Sequence, residues 1–536
     1  MIEHDVAVVG SGATGAMAAQ SLLEAGRRVT VLDVGRRDRH YAQLIPNESF
    51  TALRRNDACQ HRYLLGDRFE SISLTGVKAG AQLTPPRRFV VDDVDRFLPI
   101  RSDNFSPVES LALGGLAATW GLACAVFSDA ELQRASLAVR EMRSAYEVVG
   151  GRIGISGADD DARPYTSAHI SSVQPPLPID ATAGRLLKTY ERNRTSIRAQ
   201  GFHVGRPSLA LLSQPKDGRD ACALDDMEFY SDHGRSAWRA WLTIDRLHSQ
   251  KEFTYVADCL VLRFEESLSC ITVFSLNTRT GSIERLRCRT LVLAAGALGT
   301  ARIVVRSHHD RTARLPLLCN PYTYLPSVVP ERLGRAMSDK NIALSQLALF
   351  YDPDGRQTDV TMGQVYSYRS LLMFRLLREI PLPLRCAKRL MRFLLSAFLI
   401  VGVHHPHANE GDSSVRLEPD TVSPTHDRLV IDYRLTKSEL TRVRDQERKF
   451  MSCLRRLGAL PIKSVNPGYG SSIHYAGTLP ISSAERPLTT ANDGRLHGTK
   501  RVFVADGASF TFLPAKGLTL SLMARAHVVA GRAAED

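Results

Sequence analysis

The first thirty-three residues carry the pattern that most constrains the fold of this chain. Val6–Val9 predicts a short buried strand, and Gly10–Gly15 follows with a GxGxxG pattern. The small and apolar residues after that turn predict a helix. Arg28–Leu32 predicts a second strand, which ends at Asp33. Together these features predict a βαβ unit that binds a dinucleotide.

The glycine turn has a physical role at each position. Gly10 permits the tight turn, Gly12 lets the backbone approach a pyrophosphate, and Gly15 allows the helix to pack closely on the strand. The start of the helix, at Ala13 and Thr14, offers free N–H groups to phosphate oxygens.

Asp33 is placed to accept hydrogen bonds from the adenosine ribose of a bound dinucleotide. Its negative charge argues against NADP, because it would repel the 2′-phosphate of that cofactor. The turn alone does not separate NAD from FAD, since both contain the same ADP half.

Three later segments decide between these two cofactors. Leu113–Gly121 contains a double glycine and a Trp-Gly pair, and Leu291–Ala297 is a buried strand that runs into a turn of small residues. The third segment is Val502–Ser509, followed by Leu513–Ala524. Val502–Asp506 predicts the last strand, and Leu518–Val529 predicts the final helix. In this order and spacing the segments resemble the glucose–methanol–choline (GMC) oxidoreductase family. They are most similar to a divergent bacterial branch with GG…WG in place of the usual GG…NG.

The resemblance implies a fold and a domain organisation. The expected fold is α/β, with a Rossmann-like FAD-binding domain interleaved with an α+β substrate domain built on an antiparallel sheet. The FAD-binding domain is expected to comprise residues 1–155, 218–308 and 470–536. The substrate or cap domain is expected to comprise residues 156–217 and 309–469. Its antiparallel sheet is predicted from strands around Phe398–Val403, Ser414–Leu417 and Leu429–Tyr433. A charged helix is predicted to follow from about Lys437 to Leu457, with Thr436 as its N-cap.

The resemblance also assigns residues to the cofactor, which is expected to be FAD. Gly114 and Gly115 lack a Cβ and let a flat ring or a phosphate come close. The other residues with an implied cofactor contact are Val261 at the adenine, Asp506 and Ala508 along the ribityl–pyrophosphate path, and Leu518 and Thr519 near the pyrimidine end of the flavin. Val261 lies in a strand that is predicted over Tyr255–Phe264.

His474 is the catalytic candidate. It begins the sequence His-Tyr-Ala-Gly-Thr, which is similar to the HxxGT motif whose histidine acts as base over the flavin in this family. Oxidation of a CH–OH group sends a hydride to flavin N5 and requires a base for the hydroxyl proton. An imidazole, with an ordinary pKa near 6.5, suits that task at neutral pH.

The sequence departs from the family pattern at two places. Gly517 stands on or near the position where the family has a second catalytic His or Asn, and Lys516 beside it is the candidate substitute. Ala117 and Ala118 replace the polar residues that usually follow the double glycine. Three alternatives follow: His474 works alone, Lys516 or another residue assists it, or the activity is altered.

His404, His405 and His407 form a tight cluster after an apolar run. Pro406 breaks any regular ligand spacing, and no carboxylate or cysteine group accompanies the cluster, so no metal site is predicted. The family position favours a strand of the substrate domain, with a polar lining of the substrate cavity as the functional alternative.

The formal net charge of +13, with a pI near 9.4, indicates an anionic partner or a basic solvated surface. No nucleic-acid motif accompanies the charge, so nucleic acid is not an expected partner. Arg369–Arg392 interleaves apolar residues with seven basic residues and one acid. This segment predicts a cap, a guide for an anionic or lipid-linked substrate, or a peripheral contact with a membrane.

Nine scattered cysteines without a CxxC pair predict reduced thiols, and no apolar run is long enough to span a bilayer. The expected location is therefore the cytoplasm, with peripheral membrane contact as an option. The expected function is FAD-dependent oxidation of a CH–OH group, on a sugar-like or other polar small-molecule alcohol, to a carbonyl. The electron acceptor is not specified, and the setting is bacterial secondary metabolism or glycan assembly. An NAD-dependent dehydrogenase and a flavin-binding protein without redox activity remain the alternatives.

Overall fold

The computed structural model describes residues 4–69, 82–337, 340–367 and 381–535. Helices and strands alternate along most of this length. The strands are β1 (His4–Val9), β2 (Val29–Leu32), β3 (Ile100–Arg101), β4 (Ala123–Cys124), β5 (Phe202–Gly205), β6 (Ser208–Leu209), β7 (Phe253–Val256), β8 (Cys259–Glu266), β9 (Ile271–Asn277), β10 (Ile283–Leu293), β11 (Leu315–Pro316), β12 (Leu318–Cys319), β13 (Tyr322–Val328), β14 (Leu347–Tyr351), β15 (Thr361–Ser367), β16 (Phe398–His404), β17 (Ser414–Pro419), β18 (Asp427–Asp432), β19 (Leu460–Pro461), β20 (Tyr475–Ala476) and β21 (Val502–Val504). The helices are α1 (Ala13–Glu24), α2 (Phe50–Asn56), α3 (His61–Leu64), α4 (Val94–Phe97), α5 (Asp129–Arg134), α6 (Val139–Ile153), α7 (Arg163–Thr166), α8 (Ala181–Arg192), α9 (Arg194–Arg198), α10 (Ala240–Leu247), α11 (Ala297–Ser307), α12 (Leu384–Leu395), α13 (Lys437–Leu457) and α14 (Leu518–Glu535).

A seven-stranded sheet forms the centre of the first domain. Its strand order is β7-β2-β1-β10-β9-β8, and β21 pairs with the last residues of β10. The strands β7, β2, β1, β10 and β21 run parallel to one another, while β9 is antiparallel to both of its neighbours, β10 and β8. The predicted βαβ unit is confirmed, because β1 pairs in parallel with β2 and α1 connects them.

Helices cover both faces of this sheet, as a parallel sheet requires. Met17 of α1 and Met523 of α14 are fully buried in one core with Val8. On the other face, Ile303 of α11 packs in a second core with Val9 and Val504. The predicted final helix begins at Leu518 as expected and continues to Glu535.

The second domain is built on a six-stranded sheet of order β19-β13-β16-β15-β14-β5, and all its pairs are antiparallel. Leu325, Val401, Val365 and Leu349 project from one face into a core that also contains Phe450 of α13. Helix α13 has the predicted bounds, and Thr436 caps it with a hydrogen bond from the Glu439 N–H.

The opposite face of the six-stranded sheet has a different character. Tyr322 of β13 stands opposite His404 of β16, and Tyr324 stands opposite Gly402. Side chains alternate between the two faces of a strand, so the residues between the apolar positions project together on this side. The predicted fold class, a Rossmann-like domain with an antiparallel substrate sheet, is confirmed. The exact domain boundaries stay a prediction.

Two local predictions were wrong. The single strand expected over Tyr255–Phe264 is divided into β7 and β8 by a turn at Asp258, whose φ is +56°. The strands β17 and β18 do not join the large antiparallel sheet. They form a separate four-stranded sheet with β11 and β3.

The basic segment Arg369–Arg392 lies partly outside the described residues, and its described end belongs to helix α12. Within the described ranges, no helix combines the length and the apolar character that a membrane crossing needs.

The contact between α1 and the glycine turn leads to a stability prediction. A Cβ on Gly15 would lie 1.9 Å from the Gly10 carbonyl oxygen, whereas a Cβ on Gly184, within α8, would meet no atom within 4 Å. We expect Gly15→Ala to lower the free energy of unfolding by about 1–3 kcal/mol or more, because the obstructing atom belongs to the backbone. Gly184→Ala should be neutral or stabilising by up to about 1 kcal/mol. Denaturant unfolding of both variants checks this, and equal stability of the two would contradict it.

Candidate active site

A cavity extends along the carboxyl ends of the parallel strands. Gly10 follows β1, Asp33 follows β2, Gly296 follows β10 and Asp506 follows β21, and all four line it. Ligands of open α/β sheets bind at this edge, because the loops there diverge and helix N-termini point toward it. His474 lines the same cavity.

The glycine turn forms a cradle at one side of the cavity. Helix α1 begins at Ala13, and its cap residue Gly12 makes no side-chain capping bond, so the N–H groups of the first turn are directed to the cavity. Gly115, with φ of +53°, approaches so closely that its Cβ would lie 3.2 Å from Gly12 Cα. The fingerprint and the double glycine thus meet, and the backbone there is free of obstructing side chains.

Asp33 is half-buried at the edge of this cradle. Its Oδ2 accepts hydrogen bonds from the Ser11 hydroxyl and from the Tyr255 hydroxyl, the latter at 2.8 Å. Burial raises the pKa of Asp33 to about 6, and these two hydrogen bonds oppose the rise. Sequence reasoning missed Tyr255, because it lies on β7, more than two hundred residues after Asp33.

Asp506 occupies the equivalent position after β21. Its Oδ2 accepts from the Thr300 hydroxyl at 2.5 Å, and its Oδ1 accepts from the Ala508 N–H at 2.9 Å. Burial raises the pKa of this carboxyl to about 6 as well. Leu518 and Thr519, at the start of α14, continue the lining.

His474 is oriented by Asn320, a residue that sequence reasoning did not single out for the site. Strands β12 and β20 pair Cys319 with Tyr475. Because the strands are antiparallel, Asn320, which follows Cys319, comes beside His474, which precedes Tyr475. The His474 Nδ1 lies 3.0 Å from Asn320 Oδ1. Two-residue strands leave little sequence signal, so this pairing was not predictable from the pattern.

The surroundings of Asn320 determine which way its amide points. Its Nδ2 donates to the backbone carbonyls of His405, Leu513 and Pro514 at 2.7, 3.3 and 3.1 Å. Carbonyl oxygens only accept, so the amide nitrogen faces them and Oδ1 faces the imidazole. His474 therefore donates from Nδ1, and in the neutral ring Nε2 carries a lone pair that can accept a proton.

A second imidazole lies against the first. The ring centroids of His404 and His474 are 4.9 Å apart with nearly parallel planes, and Tyr322 packs on His404 at 4.3 Å. Burial lowers the pKa of His474 to about 4. Burial, together with the neighbouring His474, lowers the pKa of His404 well below its ordinary value. Both rings are therefore neutral at pH 7. His404 belongs to β16, as its family position suggested.

The structure places Lys516 outside the cavity lining. Its buried Nζ forms an ion pair with Glu131 Oε2 at 2.7 Å and donates to the Val126 carbonyl and to Gln357 Oε1, each at 3.1 Å. This set of partners satisfies the three N–H bonds of an ammonium group. The geometry does not favour the predicted catalytic role of Lys516. Nor does Gly517 leave room for a side chain, since its Cβ would lie 2.9 Å from the Ala123 carbonyl oxygen.

The remaining predicted residues are distributed as follows. The structure brings the predicted cofactor residues together around the cavity, except for Gly15, Gly114 and Ala508, which are not part of its lining. Of the histidine cluster, His405 bonds Gln446 at 2.7 Å and His407 lies 3.6 Å from Glu439. Within the described part of the chain, no three His, Cys, Asp or Glu side chains are grouped as a metal site would require.

Comparisons with known proteins agree with this geometry. Residues 410–526 match the family model of the GMC oxidoreductases, a range that includes His474, Asp506 and Thr519. The C-terminal part of this chain thus resembles that of a GMC oxidoreductase. The resemblance predicted from the sequence is thereby confirmed, as is the enzyme class.

Two relatives match this chain over nearly its whole length. The 6'''-hydroxyparomomycin C oxidase of Streptomyces lividus is 24% identical over 99% of this chain and 93% of that protein. The paromamine 6'-oxidase of Streptomyces fradiae is 23% identical over 98% of this chain and 90% of that protein. The crystal structure of pyridoxine 4-oxidase from Mesorbium loti, 15% identical, has the same fold with a TM-score of 0.58 over 100% of both chains.

The buried Lys516–Glu131 pair gives a prediction about stability. We expect Lys516→Met to lower the free energy of unfolding by about 3–5 kcal/mol, because it leaves the Glu131 carboxylate buried without its cation. The double variant Glu131→Gln/Lys516→Met should regain much of this loss, since the amide oxygen can still accept the capping bond from Ser128. Denaturant unfolding of the single and double variants measures the difference. A single variant as stable as the native protein would contradict a structural role for the pair.

Proposed function

We propose that this protein is an FAD-dependent oxidoreductase that oxidises a CH–OH group of a sugar-like or other polar alcohol to a carbonyl. The observation that carries the proposal is the hydrogen bond between Asn320 and His474. It leaves a neutral imidazole, whose Nε2 has no hydrogen-bond partner among the described residues, on the same cavity that the dinucleotide fingerprint lines.

The residues along the cavity fit FAD. The cradle of Gly12 and Gly115 has space for a pyrophosphate that any side chain there would fill, and the first turn of α1 supplies N–H donors. Asp33 supports ribose binding, because hydroxyl donors would favour its charged form against the cost of burial. Asp506 and Thr519 line the path from this cradle toward His474. When bound, FAD supplies the acceptor for a hydride.

His474 performs the proton transfer in this proposal. The substrate O–H proton passes to Nε2, the C–H hydrogen leaves with its electron pair, and the carbon–oxygen double bond forms. The ring then carries a positive charge in a buried site, where an isolated charge is costly. Asn320 Oδ1 accepts the Nδ1–H of that imidazolium and lowers this cost.

The sheet face beside His474 supports a ring-shaped substrate. Tyr322 and Tyr324 pack edge to face at 4.8 Å, and Tyr322 continues onto His404. Aromatic faces stack on rings, while phenolic hydroxyls and imidazole nitrogens offer hydrogen bonds to substituents. The relatives that are named as oxidases of paromamine and 6'''-hydroxyparomomycin C support a sugar-like substrate and a place in secondary metabolism.

Reduction of the bound flavin under anaerobic conditions tests the base. Alcohols that reduce the flavin of the native protein should reduce it about 10²–10⁴-fold more slowly in His474→Ala, because general base catalysis contributes a factor of this size. The visible flavin absorbance before mixing should be unchanged. His309→Ala is the matched control, since His309 is exposed on the surface, and it should behave as the native protein does.

Other results would decide for the alternatives. A colourless protein whose fluorescence responds to nicotinamide dinucleotides would replace the proposal with an NAD-dependent dehydrogenase. A yellow protein whose flavin no alcohol of a broad panel reduces would indicate a flavin protein without redox activity.

The pH dependence of flavin reduction tests the role of Asn320. Protonated His474 cannot accept a proton, so the second-order rate constant should fall as the pH drops through the pKa of about 4. In Asn320→Asp, a carboxylate beside Nδ1 would stabilise the imidazolium, so the fall of the rate constant should occur at higher pH. Asn320→Leu provides no acceptor and should lower the plateau rate. Flavin content checks the folding of both variants. If the rate constant of Asn320→Asp falls at the same pH as that of the native protein, the proposed role of Asn320 is contradicted.

A further inference from the structure

Helix α12 has an unusual outer surface. Only Ala387 and Met391, one turn apart, are buried along it, whereas Leu390 and Phe393 are 38% and 51% exposed. Leu384, at the first position of the helix, is 61% exposed, and Leu382, two residues before it, is 47% exposed. Single exposed apolar residues are common, but a cluster of this size on one short helix indicates a contact surface.

The exposed side of α12 is divided into two sectors. Successive residues of a helix are rotated by about 100°. With Ala387 and Met391 facing inward, Arg385, Arg389 and Arg392 project from the outward half of the helix. Phe393 and Leu390 occupy the sector between these cations and the buried side. The helix thus presents a basic stripe and an apolar stripe next to one another.

The charge on this surface is of one sign. Arg385, Lys388, Arg389 and Arg392 are all exposed. The sequence has no acidic residue from Pro381 to Asn409. A cationic surface is complementary to an anionic partner, and an apolar stripe beside it requires a partner with an apolar layer directly under its charges. A bilayer that contains anionic lipids has this arrangement.

We propose that α12 binds the plane of an anionic lipid membrane, with Leu390 and Phe393 among the acyl chains and the arginines at the phosphates. Each basic residue close to an anionic surface strengthens binding by about fivefold, so three or four of them together with two apolar side chains make reversible binding effective. The inference does not depend on the proposed oxidation, because none of these residues lines the cavity.

Vesicle flotation of the full-length protein tests the proposal. The protein should float with vesicles of phosphatidylcholine and phosphatidylglycerol and not with phosphatidylcholine alone, and added salt should weaken the binding. Arg389→Glu/Arg392→Glu should weaken it by about 25-fold or more. Arg311→Glu/Arg314→Glu is the matched control, because it changes the net charge equally, with the same spacing, at exposed loop residues, and it should bind nearly as the native protein does.

A second variant pair separates insertion from simple charge attraction. Leu390→Ser/Phe393→Ser keeps every cation and should still lose most of the binding. Three results would overturn the proposal: no binding to the anionic vesicles, equal loss in the control and the α12 charge variant, or full binding by the serine variant. A native dimer that the α12 charge variant converts to a monomer would also overturn it, since the surface would then be an interface between copies.

Discussion

The amide of Asn320 joins the parts of the molecule that must act together. It stands between β12 and β13, donates to the carbonyl of His405 at the end of the substrate sheet and to the carbonyls of Leu513 and Pro514 before the final helix, and accepts from His474. One planar group thus sets the spacing between the substrate sheet, the C-terminal cofactor segment and the base. A side chain with freely rotating donors would hold these segments less exactly, because only an amide combines two donors and an acceptor in one rigid plane.

The environment of the two stacked imidazoles follows from this arrangement. His404 is buried and His474 is half-buried, and removal from water disfavours the charged form of each. A neutral His474 is ready to accept a proton over a wide pH range, while a charged one would require the buried site to hold a cation before the reaction. In the proposed reaction, the cost of forming the imidazolium is therefore incurred only during proton transfer, when the Asn320 oxygen is already in place to stabilise it.

Those parts of the fold that rest on local patterns were predictable from the sequence. The glycine turn, α1, the final strand and the start of α14 were expected at their observed positions, because hydrophobic periodicity and glycine spacing act over a few residues. The turn at Asp258 was missed because a single residue with positive φ leaves little trace in such a pattern. Tyr255, Asn320 and the stacking of His404 could not be found in this way, since each depends on the pairing of strands that are distant in sequence. The separation of β17 and β18 from the large sheet is of the same kind.

The residues at the second catalytic position of the family motif show that a place in a motif does not determine the chemical role of a side chain. Gly517 removes the side chain there, and the Ala123 backbone occupies the space that a Cβ would need. Lys516, the candidate substitute for that second catalytic residue, is buried against Glu131. Moving its ammonium group into the cavity would leave the Glu131 carboxylate without its cation. His404, by contrast, reaches His474 from the substrate sheet, and its buried Nδ1 has no hydrogen-bond partner among the described residues. Gly517 thus provides no polar side chain, while His404 places a polar side chain against His474 from the substrate sheet. In the proposed reaction, the polar neighbour of the base therefore comes from the substrate sheet and not from the C-terminal segment.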